Sequence, residues 1–103
     1  MSNYAEDVAK FTSPVDPAVV DAIVKYCGIA LRNRDSSLVS ASDKAELDRV
    51  RDGFAKKKLG LGPEAATAGI DQVCEKMKDD RAKSRVTFYY LLAEATNTLD
   101  KLR

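Results

Sequence analysis

The chain carries no histidine and no tryptophan among its 103 residues. Histidine is the side chain whose unperturbed ionisation falls near neutral pH, and it is the commonest general base and metal ligand. Its absence removes Ser-His-Asp and Cys-His catalysis and every His-containing zinc site. The two cysteines fall short of the four thiolates an all-cysteine zinc site needs. Any catalysis has to draw on Asp, Glu, Lys, Tyr or Cys, so the expectation is a non-enzyme with no cofactor and no metal.

Cys27 and Cys74 lie 47 positions apart with no Cys-x-x-Cys spacing. A small secreted domain would carry a denser disulfide framework. Both fall at apolar positions of helical patterns, which makes them buried free thiols of a reducing compartment. No apolar run approaches the ~18 residues of a membrane span. The first residues, Met1-Ser2-Asn3-Tyr4-Ala5-Glu6-Asp7, lack the basic start and apolar stretch of a signal peptide. A cytoplasmic protein without a membrane partner is expected.

What is present is a helix-forming chain. Hydrophobic residues make up 45% and charged residues 32%, the balance of a soluble globular domain rather than a disordered one. The length suits one domain over residues 1–103. The periodicity predicts an all-α, compact five-helix domain. Tyr4, Val8 and Phe11 define a first helix near residues 3–11. Asp16 caps a second, with Pro17 at its first position, running to about Leu31 with Gly28 inside it. Such a glycine costs about 1 kcal/mol relative to alanine and offers close approach to another helix.

Ser42 or Asp43 opens a third helix, with Leu47, Val50 and Phe54 inward. Asp43 and Glu46 have capping-box spacing. Gly60 ends that helix, and Gly62-Pro63 starts a fourth with Ile70, Val73, Cys74 and Met77 inward. Asp79 or Asp80 is expected to cap the fifth and longest helix, to about Lys101. Its stretch from Val86 to Ala93 is apolar nearly all round, which predicts a buried central helix. An aromatic face left open to a partner is the alternative.

Three features are weighed for function. The string Gly60-Leu61-Gly62-Pro63-Glu64-Ala65 fits G-x-G-x-x-A, but it follows a helix rather than a strand, and Pro63 removes an amide a phosphate would use. It reads as one helix stopping and another starting. A faint echo pairs Ile23 and Cys27 with Ile70 and Cys74, and Arg49-Val50 with Arg85-Val86. The offsets differ, 47 and 36, and chance explains it better than duplication. Charge is uneven: residues 1–48 carry 5 basic and 8 acidic groups, residues 49–103 carry 12 and 8. Lys56, Lys57 and Lys58 form one basic cluster; Arg81, Lys83 and Arg85 form another. These six are the candidate contacts for an anion or nucleic acid, with a solvated face as the plainer account.

Several stretches also resemble a known family. They are Val15-Asp16-Pro17-Ala18, Arg34-Asp35-Ser36-Ser37-Leu38-Val39-Ser40, Ser42-Asp43-Lys44-Ala45-Glu46-Leu47-Asp48-Arg49-Val50, Phe54 with Lys56-Lys57-Lys58-Leu59-Gly60-Leu61, and Phe88-Tyr89-Tyr90-Leu91-Leu92-Ala93. Together they resemble the small bacterial proteins of domain of unknown function twenty-eight fifty-three. The resemblance implies a single-domain, all-helical bacterial protein and transfers no activity, cofactor or site residue. The leading functional expectation is therefore a protein–protein interaction module, with self-association as a homo-oligomer one form of it. Its motive is an aromatic and aliphatic content that exceeds what a small core can bury. The alternative is a nucleic-acid-associated protein using the two basic clusters.

Overall fold

The computed structural model describes residues 4–32, 37–80 and 83–102. Five α-helices follow one another: α1 Tyr4–Ala9, α2 Pro17–Cys27, α3 Lys44–Val50, α4 Pro63–Lys76 and α5 Arg85–Ala95. A 3-10 segment, Gly28–Arg32, extends α2, and another, Leu99–Leu102, follows α5. No strand forms among the described residues; one isolated antiparallel bridge joins Leu38 to Ser84. The all-α, five-helix expectation holds.

Local chemistry places the starts of the early helices. Asp16 accepts a side-chain hydrogen bond from the Ala18 amide at 3.0 Å, with Pro17 in the first turn. Asp43 accepts from Ala45 in the same way. Each satisfies a backbone donor that a helix start leaves unpaired. The second half of the capping box does not form, because Glu46 turns to arginines instead.

Three boundaries differ from expectation. Gly28 ends α2 rather than lying within it; its φ of +47° is the left-handed conformation that glycine adopts without penalty. An added Cβ there would meet nothing within 4 Å, so it is no close-approach glycine. Gly69 of α4 has that role: a Cβ there would stand 2.6 Å from Thr96 Cγ2 and 2.8 Å from Leu92 Cδ1. The fifth helix is neither capped by Asp79 or Asp80 nor the longest. It runs 11 residues from Arg85, against 14 for α4. Tertiary pairing displaces its start: Val39 donates its amide to the Lys83 carbonyl at 2.8 Å, and the Arg85 amide donates to Ser37 at 2.8 Å. Ser84 is thereby held in a β-bridge to Leu38.

The third helix continues to Lys58 as expected, but Arg51–Lys58 is π-helical. The Leu59 amide bonds to the Phe54 carbonyl, five residues back, at 3.1 Å. In an α-helix, residues five apart point about 140° away from each other. The wider turn stacks them, so that Phe54 and Leu59 are both buried.

Every residue from Val86 to Ala93 is buried, and α5 contacts α1, α2, α4, the π-helical segment and the 3-10 turn after it. It is the central helix. The tyrosine hydroxyls reach polar atoms, as buried ones should: Tyr90 accepts from the Asp16 amide at 2.9 Å, and Tyr89 from Arg85 at 2.9 Å. Short α1 is held on α5 by buried Val8 and by two hydroxyl–carboxylate bonds, Thr87 donating to Asp7 and Thr12 to Glu94. The expected surplus of apolar side chains is absent among the described residues. The core takes them in and leaves Tyr26 as the one large hydrophobic exposed. No described helix is long and apolar enough to cross a membrane.

Candidate functional site

The polar centre of the molecule is a carboxylate shared by two arginines. α3 presents Glu46 and, one turn on, Arg49; the first turn of α5 presents Arg85. Glu46 is buried. It accepts from Arg49 Nη2 through Oε2 at 2.8 Å and from Arg85 Nη2 through Oε1. Arg85 also donates to the Leu38 carbonyl at 3.2 Å, and its guanidinium stands 5.7 Å from the centre of the Tyr89 ring. The Arg85 and Glu46 side chains are 13% and 11% exposed, whereas Arg49 is 68% exposed.

These groups line an open cleft of about 520 Å³ together with Leu38, Ser40 and Asp43. Burial by itself would raise the Glu46 carboxyl, but hydrogen bonds and charge from Arg49 and Arg85 outweigh it and hold it below the usual range. Burial likewise pushes the Tyr89 hydroxyl up, and the nearby Arg85 cancels only part of that. Glu46 is thus an anion with both oxygens engaged and Tyr89 a neutral phenol, an arrangement that binds and orients. Cys27 lies nearby; burial pushes its thiol up to about 11, with Arg85 offsetting a little.

Beside the cleft three rings cluster. Phe54 and Tyr89 lie nearly parallel with centroids 4.0 Å apart. Tyr26 leans on both, 5.3 Å from Phe54 and 6.4 Å from Tyr89, with 43% of its surface open.

The candidates named from sequence fall in different places. Lys56, Lys57 and Lys58 are all exposed on the last turn of the π-helical segment. Arg81 lies outside the described residues. Lys83 donates to the Asp80 carbonyl at 2.6 Å and lines a second cleft with Ser40, Ser42, Cys74 and Lys78. Arg85 is one of the two arginines that share Glu46. Neither cleft that Lys83 and Arg85 line includes a residue of the 56–58 cluster.

Glu46, Arg49, Ser40 and Tyr26 were not singled out as site residues from sequence. The one signal was the Arg49-Val50 and Arg85-Val86 echo, whose two arginines converge on Glu46. Both cysteines are free and half-buried. No group of three or more Cys, Asp or Glu among the described residues is arranged to hold a metal ion.

A buried central α5, short helices packed around it and an arginine–carboxylate cleft at its N-terminal end define an all-α domain with one open polar cleft lined by α3 and α5. Residues 3–100 match the family described as Protein of unknown function (DUF2853), and the chain belongs to that family. No curated protein matches it.

Proposed function

We propose that the protein is a protein-binding module, not an enzyme, that docks through the face centred on Tyr26. The carrying observation is that ring: it is exposed, yet held in place by Phe54 and Tyr89. Tyrosine and arginine dominate the energetics of protein interfaces, and a ring already fixed loses little conformational freedom on docking. Arg49, mostly exposed at the adjoining cleft, supplies a polar contact at the rim. A second copy of the chain is one partner this face suits. Arg85 engages both Glu46 and Tyr89, and two cleft groups already held by an arginine support a non-catalytic role for them. In this reading the module works in a bacterial cytoplasm, where Cys27 and Cys74 stay reduced.

The test is affinity capture from the native host and light scattering over a concentration series, each with wild type and Tyr26→Ala. The expected result is one dominant partner, or a dimer, that weakens at least tenfold with the variant while circular dichroism is unchanged. Equal capture and equal mass for both proteins would overturn it. The nucleic-acid alternative has support from exposed Lys56, Lys57 and Lys58. It loses force at Lys83 and Arg85, which already donate to protein acceptors. Salt-sensitive binding to duplex or single-stranded nucleic acid, lost on neutralising 56–58, would favour it.

A further inference from the structure

The polar bonds that hold α1 on α5 have a direction. Asp7 accepts from Thr87 near the start of α5, and Glu94 near its end accepts from Thr12 at 2.5 Å. The segment from Asp7 to Thr12 therefore runs along α5 in the same sense, with Val8 fully buried. We propose that this segment is exchangeable: a second copy of the chain docks its own α1 on the same face of α5, giving a swapped dimer. The exchange surface is not the docking face above, whose Tyr26 rests on Phe54 and Tyr89.

The face is specific for its occupant. Thr87, Leu91 and Glu94 follow at i, i+4 and i+7, so they share one side of α5. Thr87 is completely buried, and a buried hydroxyl needs a partner. Asp7 supplies it. Glu94 also faces Lys76, but at 3.8 Å and in a partly exposed pair. A polar contact at each end fixes register and direction, which apolar packing alone leaves loose. The occupant must bring a carboxylate and, five positions on, a hydroxyl. The segment from Asp7 to Thr12 brings both, and so does the same segment of a second copy.

Two properties favour exchange. The first is that α1 has 6 residues, too few for a helix to persist without a docking surface. Once released it needs a groove, and a second released copy offers an identical one. Every contact is then recovered without a new interface. The second is the connection to α2. The Asp16 amide donates to the Tyr90 hydroxyl at 2.9 Å, which pins the start of α2 on α5. Only Ser13, Pro14 and Val15 separate that point from Thr12, and Ser13 and Pro14 are exposed. Pro14 and Pro17 push the residues before them toward extended backbone; Asp16 adopts it, at φ −89° and ψ 108°. A short hinge that prefers extension works against folding back and toward a partner.

The test unfolds a mixture of isotope-labelled and unlabelled wild-type protein in urea, refolds it at millimolar concentration and separates the products by size. The expected result is a dimer fraction with nuclear Overhauser contacts between Asp7 of one copy and Thr87 of the other. A Gly-Ser-Gly insertion between Ser13 and Pro14 is expected to lower that fraction at least tenfold, and Tyr26→Ala to leave it within twofold. Monomer throughout, a dimer with Asp7–Thr87 contacts only inside each copy, or a dimer fraction unmoved by the insertion would each overturn the proposal. A dimer with contacts only inside each copy that is lost in Tyr26→Ala would overturn it while leaving the Tyr26 face standing.

Discussion

Replacing Glu46 with alanine removes the negative charge between Arg49 and Arg85 and leaves two guanidiniums without it. Arg49 is mostly exposed and turns to water. Arg85 is 13% exposed and keeps two neutral acceptors, the Tyr89 hydroxyl and the Leu38 carbonyl. Removing one partner of a buried ion pair costs about 3–5 kcal/mol. The retained acceptors and the open cleft put this case at the lower end, about 3 kcal/mol. Set against a typical total of about 5–15 kcal/mol, that is a large share. It corresponds to a fall in Tm of roughly 12–24 °C at 4–8 °C per kcal/mol.

Urea denaturation at pH 7, followed by circular dichroism, measures it. A cycle of Glu46→Leu, Arg85→Met and the Glu46→Leu/Arg85→Met pair should show coupling of about 1.5–3 kcal/mol, with the double variant recovering much of the loss. The pH dependence has a definite sign. A carboxyl whose folded pKa lies below its ordinary value of 4.5 contributes stability above 4.5 and loses it as pH falls through the folded value. Wild type should therefore lose an increment in acid that Glu46→Gln lacks. A cost below 1 kcal/mol at pH 7, additive effects in the cycle, or identical acid profiles would refute the reasoning.

Other perturbations have equally definite outcomes. Gly69→Ala puts a Cβ against Thr96 and Leu92 and should cost about 1–3 kcal/mol by calorimetry. Gly53→Ala, with nothing within 4 Å of the new carbon, should instead stabilise by about 0.4–1 kcal/mol. Asp16→Ala removes the α2 cap and should cost about 1 kcal/mol in urea. Cys27, with its thiol pushed up to about 11 from 9.0, should alkylate roughly 100-fold more slowly at pH 8 than an unshifted thiol, judged by its thiolate fraction. Mass spectrometry of iodoacetamide-treated protein, native and urea-unfolded, reads that rate.

The parts of the fold legible in sequence were those with local causes. Asp16-Pro17 and Gly62-Pro63 mark helix starts because caps and proline act within one turn, and Gly60 marks a stop at φ +69°. The unbroken apolar stretch from Val86 to Ala93 marks the central helix because no side of it is polar. The misread parts have distant causes. Asp79 and Asp80 are good caps by local rules, but backbone pairing with Ser37 and Val39 delays α5 to Arg85. Glu46 fits a capping box three residues from Asp43, yet it pairs with Arg85, 39 positions away. Nothing in the spacing around Glu46 encodes that partner. Of the six cations considered for a site, Lys83 and Arg85 line clefts, and the residues that complete those clefts come from separate segments of the chain.

The backbone pairing around Leu38 and Ser84 has a consequence for how the molecule comes apart. It ties together two points 46 positions apart, turning α3, the π-helical segment and α4 into a closed loop. Closing a loop of that size costs about 3 kcal/mol beyond a length-independent constant. The amide bonds at Val39 and Arg85 and the Glu46–Arg85 contact offset that cost together. Helices α1 and α2 lie outside the loop and reach α5 by their own contacts. Opening the tie therefore frees the Ser37–Val39 segment and the start of α5, while α4 and the N-terminal helices keep their own contacts with the central rod.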